Sequence, residues 1–129
     1  MLEIDVAYLR TLGNLPGEKN LPDELLQPHV TSAISMVRAL LRDREPRNEA
    51  DEARVRVAMG CFAMAYALPV LNTFYLSRAA EVPRKVAETD YVFHDPADML
   101  KLASYWKNRA YEELREVGRT GGTVSVAVI

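Results

Sequence analysis

The chain has 129 residues and a mass of 14.5 kDa, too short for a second independent core, so a single domain is expected. At 49% hydrophobic and 26% charged the composition is that of an ordinary globular protein, able to bury about two thirds of its unfolded surface. The formal net charge of −2 and pI near 5.7 create no field that would gather nucleic acid or anionic lipid, which excludes binding by bulk charge.

The first residues, MLEIDVAYLR, hold two acids and no basic stretch before an apolar run, so they do not read as a secretory leader. Apolar residues at 4, 8, 9 and 12 predict a short helix over Ile4 to Leu12, with Asp5 helping its start. Gly13-Asn14-Leu15-Pro16-Gly17 then marks a turn. From Leu26 the apolar positions 26, 30, 33, 34, 37, 40 and 41 follow the rhythm of one buried stripe and predict a second helix. Pro28 would cost a helix begun at Asp23 its bond to the Glu24 carbonyl, so a one-turn prelude and a kink are expected there. The polar run Arg44-Glu45-Pro46-Arg47-Asn48 stops this helix near Asp43.

Glu49, Asp51 and Glu52 place negative charge where the dipole of a third helix favours it. Apolar residues at 53, 57, 61, 64, 68 and 71, with a second row at 58, 62 and 65, make that helix apolar on most sides. The nearly uncharged stretch from Val57 to Leu76 is long enough to raise the question of a membrane. Its Gly60, Pro69, Asn72 and Thr73, and the lack of a basic flank, point instead to the central helix of a bundle. Gly60 should admit a close helix neighbour, and Pro69 should kink or end the helix by displacing the Ala65 carbonyl. Leu76 to His94 shows no helical stripe and is expected to be a long loop, with Tyr91, Val92 and Phe93 as a short β element. Asp95 as N-cap and Pro96 at the first position open a fourth helix, whose stripe 99, 103, 106, 110, 114 and 117 leads to a glycine cap at Gly118. The chain closes on TVSVAVI, with Val124, Val126 and Val128 on one face of a strand. The expected organisation is an all-α bundle of three to four helices over 1–118 and an extended tail over 119–129.

No constellation of residues carries recognisable chemistry. Phosphate-binding glycine motifs, CxxC and HExxH are absent. Asp90, His94, Asp95 and Asp98 offer four donors within nine residues, but Asp95 serves as a cap, Asp98 suits the first-turn dipole, and the spacing matches no metal loop. Cys61, set among Met59, Phe62 and Met64, reads as an inert core residue and cannot form an internal disulfide. His29 reads as a surface or capping residue. Glu112, Glu113 and Glu116 read as a solvated face paired with Arg109 and Arg115. Arg78, Arg84 and Lys85, edged by Tyr75 and Tyr91, are too few to hold nucleic acid. No catalytic residue, metal or cofactor is therefore expected.

The helical signals are weightier for protein contacts. Trp106, Tyr105 and Tyr111 supply more aromatic area than one core stripe needs, so Tyr105 or Tyr111 should face a partner. The tail residues Val124, Val126, Val128 and Ile129 would be an aggregation hazard in water. Either they add an edge to a neighbour's sheet, or the segment is a frayed tail or pairs with Tyr91 to Phe93 of the same chain.

The order of elements is informative beyond the single residues. A short first helix is followed by LPDELLQPHVTSAISMVRALL, with Pro22-Asp23 at its start and Ile34 and Val37 in its stripe. Then come ADEARVRVAMGCFAMAYAL, with the alanine-rich run from Ala58 to Tyr66, a long loop, and a last helix opening DPADM and spanning Leu100 to Leu114. This arrangement, over most of the chain, resembles the head-to-tail connector (adaptor) proteins of tailed bacteriophages and prophages. The resemblance implies a non-enzymatic structural subunit in the virion neck, made in the host bacterial cytoplasm and assembled as a ring, commonly of twelve copies. Its implied partners are other copies of itself, the portal protein, and a tail or stopper protein. DNA passes through such a ring without sequence-specific contact, and no membrane is involved. Tyr91, Val92, Phe93 and the tail residues Val124, Val126, Val128 and Ile129 are then the expected contact residues. The alternative is a small cytosolic helical regulatory or binding module that acts as a dimer.

Overall fold

The computed structural model describes residues 2–42, 44–81 and 96–118, and these form four helices with no strand among them. The helices are α1 (Val6–Gly13), α2 (Asp23–Leu41), α3 (Glu49–Glu81) and α4 (Pro96–Arg115). The expected all-α character holds. The β element at Tyr91 to Phe93 and the tail from residue 119 lie outside the described residues, so Tyr91, Val92, Phe93, Val124, Val126, Val128 and Ile129 do as well.

Helix α1 begins at Asp5, whose carboxylate accepts a hydrogen bond from the Tyr8 amide at 2.8 Å, an N-cap as the sequence suggests. It ends at Asn14, which takes the left-handed conformation at φ 51°. The turn after it is clamped by one side chain. Arg10, only 14% exposed, donates to the Pro16 carbonyl, to the Leu21 carbonyl at 2.6 Å and to the Asp23 carboxylate at 2.5 Å. Its planar fork thereby ties the turn to the first residue of α2.

Helix α2 runs unbroken from Asp23 through Pro28, where the sequence suggests a separate prelude. Pro28 and Glu24 both lie on the exposed side, where the Glu24 carbonyl that the proline leaves without a donor is open to solvent. The inner face buries Leu26, Val30, Ala33, Ile34, Val37 and Leu41, the expected stripe without Leu40, which is half-buried.

Helix α3 corrects two expectations at once. Of the kink or end expected at Pro69 the end is overturned, and so is the loop expected at Leu76, because the helix extends to Glu81. Pro69 is exposed, which again leaves its helix with a solvated outer face. Beyond it, Leu76-Ser77-Arg78-Ala79-Ala80-Glu81 contains strong helix formers and no glycine or proline. The residues from Glu49 to Thr73 are long and apolar enough to cross a membrane by length and composition, yet most of that stretch is buried among the other helices, as befits the centre of a bundle. Gly60 is the point where α1 comes closest. A methyl group placed there would run into Leu12 and stand 3.1 Å from the Tyr8 ring, so the expected close approach is present.

Helices α2 and α4 both pack on α3, and α1 packs on α2 and α3. The core joins Leu9 and Leu21, the α2 stripe, Val55 to Met64 of α3, and Ala110, Leu114 and Val117 at the far end of α4. Phe62 sits at its centre, with the Tyr111 ring edge-on at 5.4 Å and Tyr66 stacked at 6.1 Å.

The junction of α3 and α4 has a polar lock that charge patterning alone conceals. Asn48 caps α3, its side chain accepting from the Asp51 amide at 2.8 Å. Asp51, whose side chain is 11% exposed, turns back to accept from the Arg47 amide at 3.1 Å and from the Gly118 amide at 3.2 Å. Gly118 has φ 73°, the left-handed cap expected from the sequence. Arg44 donates to the Leu114 carbonyl at 3.1 Å, so the segment after α2 closes the carbonyl end of α4.

Candidate functional site

The lower half of α4 enters the core, whereas its first half does not. From Ala97 to Arg109 no side chain is fully buried; Leu100 is 71% exposed and Tyr105 55%.

On this part of α4 an aromatic and cationic surface is built. Tyr105 meets Trp106 edge-to-face, with centroids 5.2 Å apart and planes at 75°. Arg109, one turn on from Trp106, holds its guanidinium carbon 6.0 Å from the Trp106 ring centroid, a cation–π contact. Of the two tyrosines beside Trp106, Tyr105 is thus the one that faces outward, while Tyr111 belongs to Phe62. Helix α1 contributes to the neighbouring wall: Tyr8 packs over Gly60 and feels the charges of Arg56, Arg109 and Glu113. Burial is the main cause that raises the Tyr8 hydroxyl above its ordinary range, and burial likewise raises that of Tyr66.

Cys61 belongs to the core. It is fully buried, and burial pushes its thiol up to about 11, against a smaller lowering by Arg109. A thiol so raised is a poor nucleophile at neutral pH, in keeping with the core reading. His29 is half-buried on α2 and its pKa is lowered by that burial. The acidic face of α4 is not wholly solvated as its sequence suggests: Glu113 turns toward α3 and pairs with Arg54 at 3.1 Å, while Arg109 goes to Trp106. Glu112 and Glu116 remain exposed.

Among the described residues, no group of three or more His, Cys, Asp or Glu side chains is placed to hold a metal ion. Asp98 is exposed in the first turn of α4; Asp90, His94 and Asp95 lie outside the described residues, as do Arg84, Lys85 and Tyr91 of the basic cluster. Among the described residues no buried side-chain nitrogen or oxygen lacks a partner.

A second exposed apolar residue stands on another element. Leu25, 40% exposed, lies in the first turn of α2 beside exposed Glu24, with exposed Glu18 in the preceding turn. Its helical stripe gives no reason to notice it, because Leu26 next to it takes the core position.

The described residues form a helical protein with an exposed aromatic and cationic patch on the first half of its last helix. No family model, curated protein or solved structure matches the chain.

Proposed function

We propose that the chain is a non-enzymatic structural subunit of the neck of a tailed phage or prophage. Copies of it form an adaptor ring that joins the portal of the head to a tail or stopper protein, in the virion neck after assembly in the host cytoplasm. The observation that carries the reading is the order and proportion of the helices. One short helix, a long second, a longer central third and a last helix support the resemblance to connector proteins, although α3 takes up the first residues of the long loop on which that resemblance partly rests. The exposed Tyr105, with half-buried Trp106 and Arg109 beside it, supports it further, since tyrosine, tryptophan and arginine are the residues that anchor protein interfaces. In this reading Tyr91, Val92 and Phe93, with the tail residues Val124, Val126, Val128 and Ile129, carry contacts to components above and below the ring.

The test is to induce the bacterium that encodes the chain, sediment phage-like particles and quantify their proteins by mass spectrometry. A copy number close to that of the portal is expected, as a closed symmetric ring requires. Particles that form without the chain would overturn the reading and leave the dimeric regulatory module as the function to pursue.

A further inference from the structure

Helices α2 and α4 both pack on α3 and share almost no contact with each other. Helix α1 and the residues before it lie on one side of the gap. Arg38 of α2 reaches the Leu2 carbonyl and the Glu3 carboxylate there, and Tyr8 of α1 feels the charges of Arg109 and Glu113 of α4. On the other side, among the described residues, no element fills the gap.

Helical spacing turns a different set of residues to that open side. On α2, Leu25, His29, Met36 and Leu40 form a row on the face opposite Arg38, and on α4 Leu100 and Tyr111 form a row opposite Arg109 and Glu113. Between the rows stands Tyr66 of α3, stacked on the Phe62 ring that Tyr111 also covers. Leu25 and Leu100 are exposed and the other five are half-buried. Ser32, Ser104 and Lys107 are the exposed polar residues in the same rows. The result is a shallow, mainly apolar groove, in which Lys107 is the one exposed charge among the described residues.

The chain leaves α4 at the foot of this groove. Gly118 takes the left-handed conformation that turns a chain out of a helix, and its amide is held by Asp51 of α3. A Cβ placed on it would stand 3.5 Å from the Arg44 Cβ and 3.6 Å from the Glu45 carbonyl oxygen, in the segment that follows α2. Leu100 lies 18 residues back along α4, about 27 Å at 1.5 Å per residue. The 11 residues from 119 to 129 span about 36 Å when extended, so they can reach the full length of the groove. Their chemistry suits it as well. They carry a single charge, Arg119 close to the exit, and strand alternation brings Val124, Val126 and Val128 to one face. The connection 82–95, with five charged residues, suits an apolar groove less.

We propose that residues 123–129 of the chain itself run back up the groove between α2 and α4, with the three valines turned onto Leu40, Met36, Tyr111 and Leu100. Thr123, Ser125 and Ala127 then face outward, and the backbone stays within reach of water along the open side. The contact lies within one chain and does not rest on the adaptor reading; in that reading the tail leaves the groove when it meets other components.

The experiment places a nitroxide at Ala127→Cys in the full, isotope-labelled chain and reads amide signals by NMR. Cys61 is buried with a raised thiol and stays unlabelled in the native protein. The amides of Leu25 and Leu100 should lose most of their intensity, although both are far from Gly118 along the helices, while those of Ala7 and Thr11 on α1 keep theirs. A sample that mixes isotope-labelled chains without nitroxide and nitroxide chains without isotope should show no loss. Loss in that mixture puts the tail on a second copy, and no loss at Leu25 and Leu100 leaves the groove to another occupant or to water; either overturns the proposal. Urea unfolding gives an independent reading. The triple variant Val124→Ser, Val126→Ser, Val128→Ser should raise the unfolding equilibrium constant about tenfold or more, since burial of one valine is worth about that much. Leu100→Ser should also destabilise the chain, despite the exposure of that residue, and should add little once the tail valines are gone. A triple variant as stable as wild type overturns the docking. Particle composition tests the adaptor reading separately, and neither result decides the other.

Discussion

Replacing Asp51 by alanine probes the join between α3 and α4 more sharply than any core truncation. The carboxylate is 11% exposed, and its Oδ2 accepts two backbone amides, that of Arg47 at 3.1 Å and that of Gly118 at 3.2 Å. Hydrogen bonds to a charged group contribute about 1.5–3 kcal/mol each, and a donor left unsatisfied in a part-buried place costs about 1–3 kcal/mol. The Arg47 side chain adds little: its Nε is 4.0 Å away and its side chain is half-exposed. Because both amides are only part-buried, water recovers some of the loss, and the expected cost is about 2–4 kcal/mol. Against a total of about 6–19 kcal/mol for a chain of this length, that is a large share. Urea unfolding followed by circular dichroism measures it, and the midpoint should fall with little change in slope. Hydrogen exchange adds a local signature, since the Gly118 amide should lose protection before the amides of α2. A change below about 0.5 kcal/mol, or no effect on Gly118, would refute the reasoning.

Other outcomes follow from the same contacts. Arg10→Lys should destabilise by about 2 kcal/mol in chemical unfolding, nearly as much as Arg10→Ala, because an ammonium group cannot reach the Pro16 carbonyl, Leu21 carbonyl and Asp23 carboxylate together. The raised Cys61 thiol favours the neutral form in the folded state, so its contribution is complete below the ordinary thiol value of 9.0 and is lost as pH rises toward about 11. Unfolding free energy should therefore drop more steeply over that window in wild type than in Cys61→Ala. At pH 8 a thiol reagent should modify Cys61 rapidly only after denaturant is added. Gly118→Ala should cost about 1 kcal/mol or more in the same unfolding assay, because φ is 73° there, whereas Gly118→Asn should cost less. The Arg54–Glu113 pair, with side chains 43% and 26% exposed, should show a coupling below about 1 kcal/mol in a double-mutant cycle and should weaken with salt.

Stripe spacing was enough to read α2 and the inner end of α4, because Leu26 to Leu41 and Ala110 to Val117 each repeat over several turns on a single face. The prolines misled for a physical reason. Local sterics at Pro28 and Pro69 argue for a break, but a proline on the outer face frees a carbonyl that water can reach, and packing on the inner face holds the helix together. The end of α3 was hidden because residues 76–81 show no apolar stripe, although their helix propensity is high. Asp51 was visible only as first-turn charge; the pattern Asn48-Glu49-Ala50-Asp51, an N-cap with an acid three residues on, was the available sign of a capping box. Its reach to Gly118 is a tertiary fact with no local signature. The exposed aromatic surface was half legible. The aromatic excess around Trp106 marked α4 and left Tyr105 and Tyr111 as equals, which only the place of Phe62 could separate. Leu25 and Arg109 were missed, since exposure depends on where neighbouring helices end.

The adaptor role is tested most directly by removing the chain from the phage or prophage that encodes it and viewing the induced lysate by electron microscopy. The account predicts heads and tails that accumulate unjoined, with joining restored when the chain is supplied from a plasmid. Intact tailed particles in the absence of the chain would contradict it.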